Sequence, residues 1–240
     1  MKGFGYQRPW VLINEKPSYG VGGLIVTSLP PITKPAMRYS SEEIDGRDGD
    51  IITTLGYQSY DKTLSIGLHG NFDIDKVIEF FATSGTITFS NESDKIYRFQ
   101  QLDAIDFERL VRYRTADVKL HVQPFKTGRL QRPKTFTSAD AQAVVTNAGN
   151  VAAAPKLTIN ATGNVGIYLD GSQIVSVTNT GEYTLIIDVA ALEASTPEGV
   201  LMNRAITGDY QRLTLSPGKH SIKWSGDLES LTIENYSRWI

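Results

Sequence analysis

Strict alternation of apolar and polar residues dominates this chain and limits what it can fold into. In 115–123, Val118, Leu120 and Val122 alternate with Asp117, Lys119 and His121, a period of two that sends one face to a core and the other to water. The same texture runs through 56–68, 85–90 and 95–100, and again through 155–160, 165–170, 173–177, 183–189, 212–216, 220–225 and 228–236. Bounded by Gly, Asn and Pro, these segments read as strands. One helical period stands out. Ile74, Val77, Ile78 and Phe81 fall at i, i+3, i+4 and i+7, so a helix with a single apolar stripe is expected there. Asn71 or Asp73 can cap it, and Thr83, Ser84 and Gly85 supply the stop, with Gly85 suited to a left-handed C-terminal position.

Turn chemistry then organises the strands. Asn91, Glu92, Ser93 and Asp94 separate the two alternating arms of TITFSNESDKIYRF, which reads as an antiparallel hairpin. Two glycines inside IDGRDGD mark the tip of another hairpin, projecting a polar loop. Apolar periodicity lapses in KTGRLQRPKTFTSADAQ, where Gly, Pro and basic residues gather. That stretch reads as a linker, dividing the chain into domains 1–130 and 131–240. The second domain carries about seven short strands at the spacing of a galectin-like (jelly-roll) β-sandwich. The expected fold is therefore mainly β: an N-terminal β-sandwich or split-barrel-like domain with one α-helix and a protruding hairpin, then the sandwich.

Composition removes most catalytic chemistry. Among 240 residues there is no cysteine, hence no disulfide framework, thiolate nucleophile or thiolate-bound metal. This suits manufacture in a reducing cytoplasm. No GxSxG elbow, phosphate loop or dinucleotide fingerprint occurs. The three histidines, His69, His121 and His220, lack the spacing of a metal pair, so structural or surface roles are expected. The acidic stretch from Glu42 to Asp50 fails as a calcium loop: counted from Asp45, positions three, five and twelve are Arg47, Gly49 and Gly56. Asp48 with Asp50 and Asp73 with Asp75 could be paired catalytic carboxylates on paper. The first pair lies in a turn, however, and the second in the first turn of the helix, where acids suit the dipole. No enzyme activity, cofactor or metal is expected.

Partners are bounded in the same way. The longest apolar runs, 21–29 and 74–81, fall well short of the roughly 20 residues a spanning helix needs. MKGFGYQRPW lacks the apolar core of a secretory signal, so no membrane association is expected. With 24 basic and 26 acidic residues the formal net charge is −2. Eight of the Lys and Arg residues nevertheless cluster between Arg109 and Lys134, against Asp117 alone. On a near-neutral chain such a stripe points to a solvated face or subunit contact rather than nucleic-acid recognition.

The order of these features resembles a known family. IDGRDGD, the strand YDKTLSIGL, the apolar helix, the TITFSNESDKIYRF hairpin and VKLHVQPF resemble the N-terminal domain of siphophage distal tail (Dit) proteins. LSPGKHSIKWSGDLESLTIENYSRWI resembles the closing strands of that family's galectin-like second domain. The resemblance implies a structural virion protein at the tail tip, synthesised and assembled in the host bacterial cytoplasm. Its first domain would form a homohexameric ring joining the tail tube to the baseplate and host-adsorption apparatus. One ring face would meet the major tail protein and the other the tail-associated lysin or tail fibre protein. Peripheral domains would hold receptor-binding proteins, and DNA would pass through the channel without specific binding. Arg47, Asp48 and Gly49 would lie near a subunit contact.

The competing class is a carbohydrate-binding (lectin-like) adhesion module, since sandwiches of this kind often bind sugars on exposed rings. Trp224, Tyr210, Tyr168 and Tyr183 are the rings available, with Trp224 and Tyr210 the leading pair. Against this, Trp224 shares a strand face with Ile222, and Asn203-Arg204 occurs without the other residues of a galectin site.

Overall fold

The computed structural model describes residues 8–101, 104–129 and 131–240. The chain divides into two compact units, one ending at Arg129 and the other running to Trp239, each with its own apolar core.

In the first unit, β1 (Val11–Ile13), β2 (Lys16–Pro17) and β3 (Leu24–Ser28) lead into a long hairpin, β4 (Met37–Glu43) and β5 (Asp50–Tyr57). Then come β6 (Tyr60–Leu68), α1 (Ile74–Phe81), β7 (Gly85–Phe89), β8 (Lys95–Gln101), α2 (Phe107–Tyr113) and β9 (Thr115–Gly128). The strands of the main sheet run in the order β2-β1-β7-β8-β9-β6-β3, while among the described residues β4 and β5 pair only with each other. The alternation in β9 does what the sequence requires: Ala116, Val118, Leu120 and Val122 are buried. The strand continues past Pro124 because its pairing with β8 slips there, from Phe99↔Val122 to Tyr97↔Lys126. A proline has no N–H for a ladder, and an irregularity absorbs it.

α1 begins where Asp73 accepts hydrogen bonds from the Asp75 and Lys76 backbone N–H groups, at 3.1 and 3.4 Å. Val77, Phe80 and Phe81 are its buried residues, with Phe80 and Phe81 meeting edge to face. Gly85 departs from the expected helix stop. It opens β7 at φ +138°, where a Cβ would lie 2.2 Å from Asn14 Oδ1.

A second helix, α2, adds to the single one expected. Asp106 caps it through the Arg109 N–H at 2.8 Å, and Arg114 takes the left-handed C-terminal position at φ +60°. Leu110 is its one fully buried side chain, too little apolar periodicity to register in sequence. The predicted strand 56–68 also divides. Gly56 and Tyr57 end β5, and β6 starts at Tyr60.

The second unit comprises β10 (Lys134–Thr137), β11 (Ala143–Asn147), β12 (Lys156–Leu169), β13 (Ser172–Val177), β14 (Tyr183–Asp188), β15 (Glu193–Ser195), β16 (Ile206–Gly208) and β17 (Gly218–Glu234). Four of the expected strands fuse into two. Segments 155–160 and 165–170 join as β12, and 220–225 and 228–236 join as β17, because the glycines between them sit in bulges of one continuous pairing rather than in turns. The first half of β12 pairs with β14 and the end of β17, and its second half with β13 and the start of β17. Leu157, Ile159, Ala161, Val165, Ile167 and Leu169 nevertheless share one buried cluster. The two long strands therefore bend across both layers of a sandwich around a single core. β10 lies inside the stretch read as linker, and 212–216 is not a strand: it begins in a 3₁₀ turn, Tyr210–Leu213, and keeps an isolated bridge from Leu215 to Ala153.

Candidate functional site: the hairpin arm and its root

Arg47, Asp48 and Gly49 sit at the tip of the β4–β5 hairpin, all exposed. Gly46 and Gly49 take φ +80° and +74°, the left-handed geometry that turns the chain between the strands. The register runs from Met37↔Tyr57 at the base to Glu43↔Asp50 at the tip. At roughly 3.3 Å per residue, the arm is about 25 Å long.

No residue of the arm is buried. Tyr39 is 63% exposed, Ile52 65% and Leu55 53%, with Met37 and Ile44 close behind. Tyr39 and Ile52 are diagonal neighbours on one face, since Tyr39 pairs with Thr54 and Ser41 with Ile52. Glu43 and Asp50 face each other on that same side, and Asp50 accepts a hydrogen bond from the Ser41 hydroxyl. Two carboxylates directly opposite each other weaken a hairpin, and a two-stranded ribbon has little stability of its own in water.

Its root, by contrast, is held by a buried polar cluster. Lys62 of β6, 3% exposed, donates to the Pro31 carbonyl at 2.7 Å, in the segment between β3 and β4. Its ammonium lies between 5.2 and 5.9 Å from the ring centres of Tyr60, Phe89 and Tyr97, close enough for cation–π attraction. Asn91 Nδ2 donates to the Pro30 carbonyl at 3.0 Å, and the Tyr60 hydroxyl to Thr33 at 3.5 Å. Below them Lys126 pairs with Glu92 at 2.8 Å, and Glu92 also accepts from the Tyr97 hydroxyl.

Burial shifts these groups predictably. It pushes Lys62 down to about 8, with Lys126 adding to the fall and Glu92 resisting it. Burial, then the Glu92 charge, pushes Tyr60 up to about 12. Tyr97 is raised further still, by burial and its bond to Glu92. The alternation places Lys62 in phase with Leu64 and Ile66, and Lys126 in phase with Leu120 and Val122, but it does not show which partners would take their charges, and sequence reading passed over the cluster.

The rings considered for sugar binding lie apart. Trp224 stands opposite Ile167 in β17, half-buried against the sandwich core. Tyr210 opens a 3₁₀ turn and lines a shallow depression with Leu192, Gly208, Asp209 and Gln211, which Trp224 does not border.

His220 gains neighbours that its sequence context does not show. Its Nδ1 lies 2.7 Å from Asp170, while its Nε2 lies 2.8 Å from the Ser216 carbonyl and 3.3 Å from the Ser216 hydroxyl. Asp, His and Ser thus meet as they do in hydrolases, but the chemistry differs. A carbonyl only accepts, so Nε2 carries a proton aimed at the Ser216 backbone and is no base for the hydroxyl. Burial alone would lower the His220 pKa, but the bonds to Asp170 and Ser216 outweigh it and raise the value. The group is a clamp between the β12–β13 turn and the start of β17. Among the described residues no three His, Asp or Glu side chains gather to hold a metal.

A curled sheet unit followed in the same chain by a β-sandwich has its likeness among solved phage structures. The SPP1 Dit protein, described as a paradigm of the hub adsorption apparatus in phages infecting Gram-positive bacteria, matches with a TM-score of 0.64 at 15% identity. The match covers 98% of this chain and 100% of that one. A chain of the phage P2 baseplate in its activated conformation with Ca matches with a TM-score of 0.52 at 7% identity, over 97% and 98% of the two chains. The same baseplate with Sr gives 0.51 at 9% identity, over 96% and 98%. No protein-family model and no curated protein sequence matches. At these identities the likeness is one of fold, and it spans both units.

Proposed function

We propose that this protein is a structural component of a phage tail tip, a distal tail hub whose first unit assembles into a ring of six. In this role residues 1–130 form the ring that joins the tail tube to the baseplate. Residues 131–240 stand as a galectin-like accessory domain. The ring meets the major tail protein on one side and the tail-associated lysin or fibre protein on the other, with receptor-binding proteins attached at its periphery. The passage of DNA through the channel needs no base-specific contact, and none of these roles requires catalysis.

The observation that carries this reading is the fold likeness to a Dit hub protein over the full length of both chains. The arm supports it independently: a ribbon with both edges unpaired among the described residues and its apolar side chains exposed is stabilised when a neighbouring copy covers it. Arg47, Asp48 and Gly49 then lie at or beside the contact between copies. Electron micrographs of the purified full chain test the proposal directly, with six-fold rings the expected result. A protein that stays monomeric at high concentration, and remains so when mixed with its tail-tip partner, overturns it.

A further inference from the structure

The arm has a chemical complement on the same unit. Between positions 42 and 50 it carries Glu42, Glu43, Asp45, Asp48 and Asp50 against Arg47 alone. Beside the opposed Glu43 and Asp50 lie exposed Tyr39 and Ile52. A surface that fits this face is apolar and cationic together. Among the described residues of the first unit, the large exposed apolar side chains outside the arm are Tyr19, Ile32, Val111 and Tyr113, and the last two lie on α2. Arg109, Arg112 and Tyr113 fall at i, i+3 and i+4 along one side of the helix, a side that Val111 does not share. Arg112 lies 5.4 Å from the Tyr113 ring, and Arg114 follows at the helix end. Asp106 is occupied in capping the helix, leaving Glu108 as the acid on its exposed side. This is also where the basic segment of the sequence begins.

We infer that the arm of one copy docks by its Tyr39, Ile52, Glu43 and Asp50 face onto α2 of the next copy, with Arg109 and Arg112 meeting the opposed carboxylates. The inference rests on the ring proposed above and names its contact. Because the arm and α2 are different patches, the contact is head-to-tail, the kind that closes into a ring when the rotation between copies permits. It also removes the like-charge repulsion at the arm tip and covers apolar side chains that are otherwise wet.

Charge exchange in the full-length chain tests this. Glu43→Lys with Asp50→Lys places like charges across the contact, as does Arg109→Glu with Arg112→Glu. Either pair is expected to weaken self-association by about a hundredfold or more, read by analytical ultracentrifugation. All four changes together restore opposite charges and are expected to bring assembly back. Every altered side chain is exposed, so melting temperatures report whether each variant still folds. Rings that persist in both paired variants, or a four-fold variant that fails to reassemble although folded, overturn the docking while leaving the ring intact. A wild-type chain that never self-associates overturns the ring and the docking with it.

Discussion

Two antiparallel ribbons in this protein behave in opposite ways. The β4–β5 arm and the β12–β17 pair are both interrupted by bulges and both carry glycine within or beside their strands. But β12 and β17 alternate, whereas the arm sets like residues side by side at Ser40-Ser41, Glu42-Glu43, Ile51-Ile52 and Thr53-Thr54. In the sandwich, Leu157, Ile159, Ile167, Leu231 and Ile233 are completely buried. In the arm no residue is. β12 and β17 find β10, β11, β13 and β14 beside them and a second layer across the core, whereas among the described residues β4 and β5 find only each other. Exposure follows both from the strand's own pattern and from the neighbours the fold supplies. The sandwich buries its ribbon within one chain; the arm is left exposed.

The largest effect expected lies at the root of the arm. Lys126→Ala strands the Glu92 carboxylate without its buried partner and is expected to cost about 3 to 5 kcal/mol, read by urea unfolding. A loss under 1 kcal/mol means that the cluster is not what fixes the first unit. Next, Leu157→Ala removes a fully buried side chain from the sandwich and is expected to cost about 2 to 5 kcal/mol in the transition of the second unit. A wild-type transition here would show that the sandwich core tolerates what its packing should not.

A smaller, pH-dependent effect belongs to His220. Its folded pKa is raised above the ordinary 6.5, so its clamp contributes fully below that value and is lost as pH rises through the folded pKa. Asp170 has the opposite sign. Its pKa is lowered, because the Ser221 N–H and His220 outweigh burial, so its share is lost as pH falls through its folded pKa. Melting of the second unit should weaken by about 1 kcal/mol on passing from mildly acidic to alkaline pH. In His220→Gln that dependence should flatten, and an unchanged profile excludes the clamp.

The smallest stability effect separates the two ribbons most sharply. Ile52→Ser and Tyr39→Ser should shift unfolding by no more than about 0.5 kcal/mol while abolishing self-association. Substantial destabilisation of a monomer would mean that the arm is already covered within its own chain.

Much of this was legible in the sequence. The period of two placed most of the strands, the i, i+3, i+4 stripe placed α1, and the glycines of IDGRDGD placed the arm tip, because local sterics and amphipathicity act on neighbours in the chain. α2 escaped because it is only seven residues long: Phe107, Leu110 and Val111 fall at i, i+3 and i+4, but the pattern ends within two turns and of the three Leu110 alone is fully buried. The Lys62 and Glu92 cluster escaped because burial of a charge is decided by distant partners: Pro31, Phe89, Tyr97 and Lys126 all come from other segments. The same holds for His220, whose carboxylate lies fifty positions away.

By itself, then, the sequence determined that the protein is mainly β, lacks thiol chemistry and carries a polar hairpin tip and a basic segment. Only the tertiary structure decided that β12 and β17 run unbroken through both layers, that a lysine anchors the arm from inside the sheet, and that the arm's apolar face is left uncovered. Those features depend on which strands end side by side. Strand pairing is long-range, and a period of two marks a face without saying what will cover it.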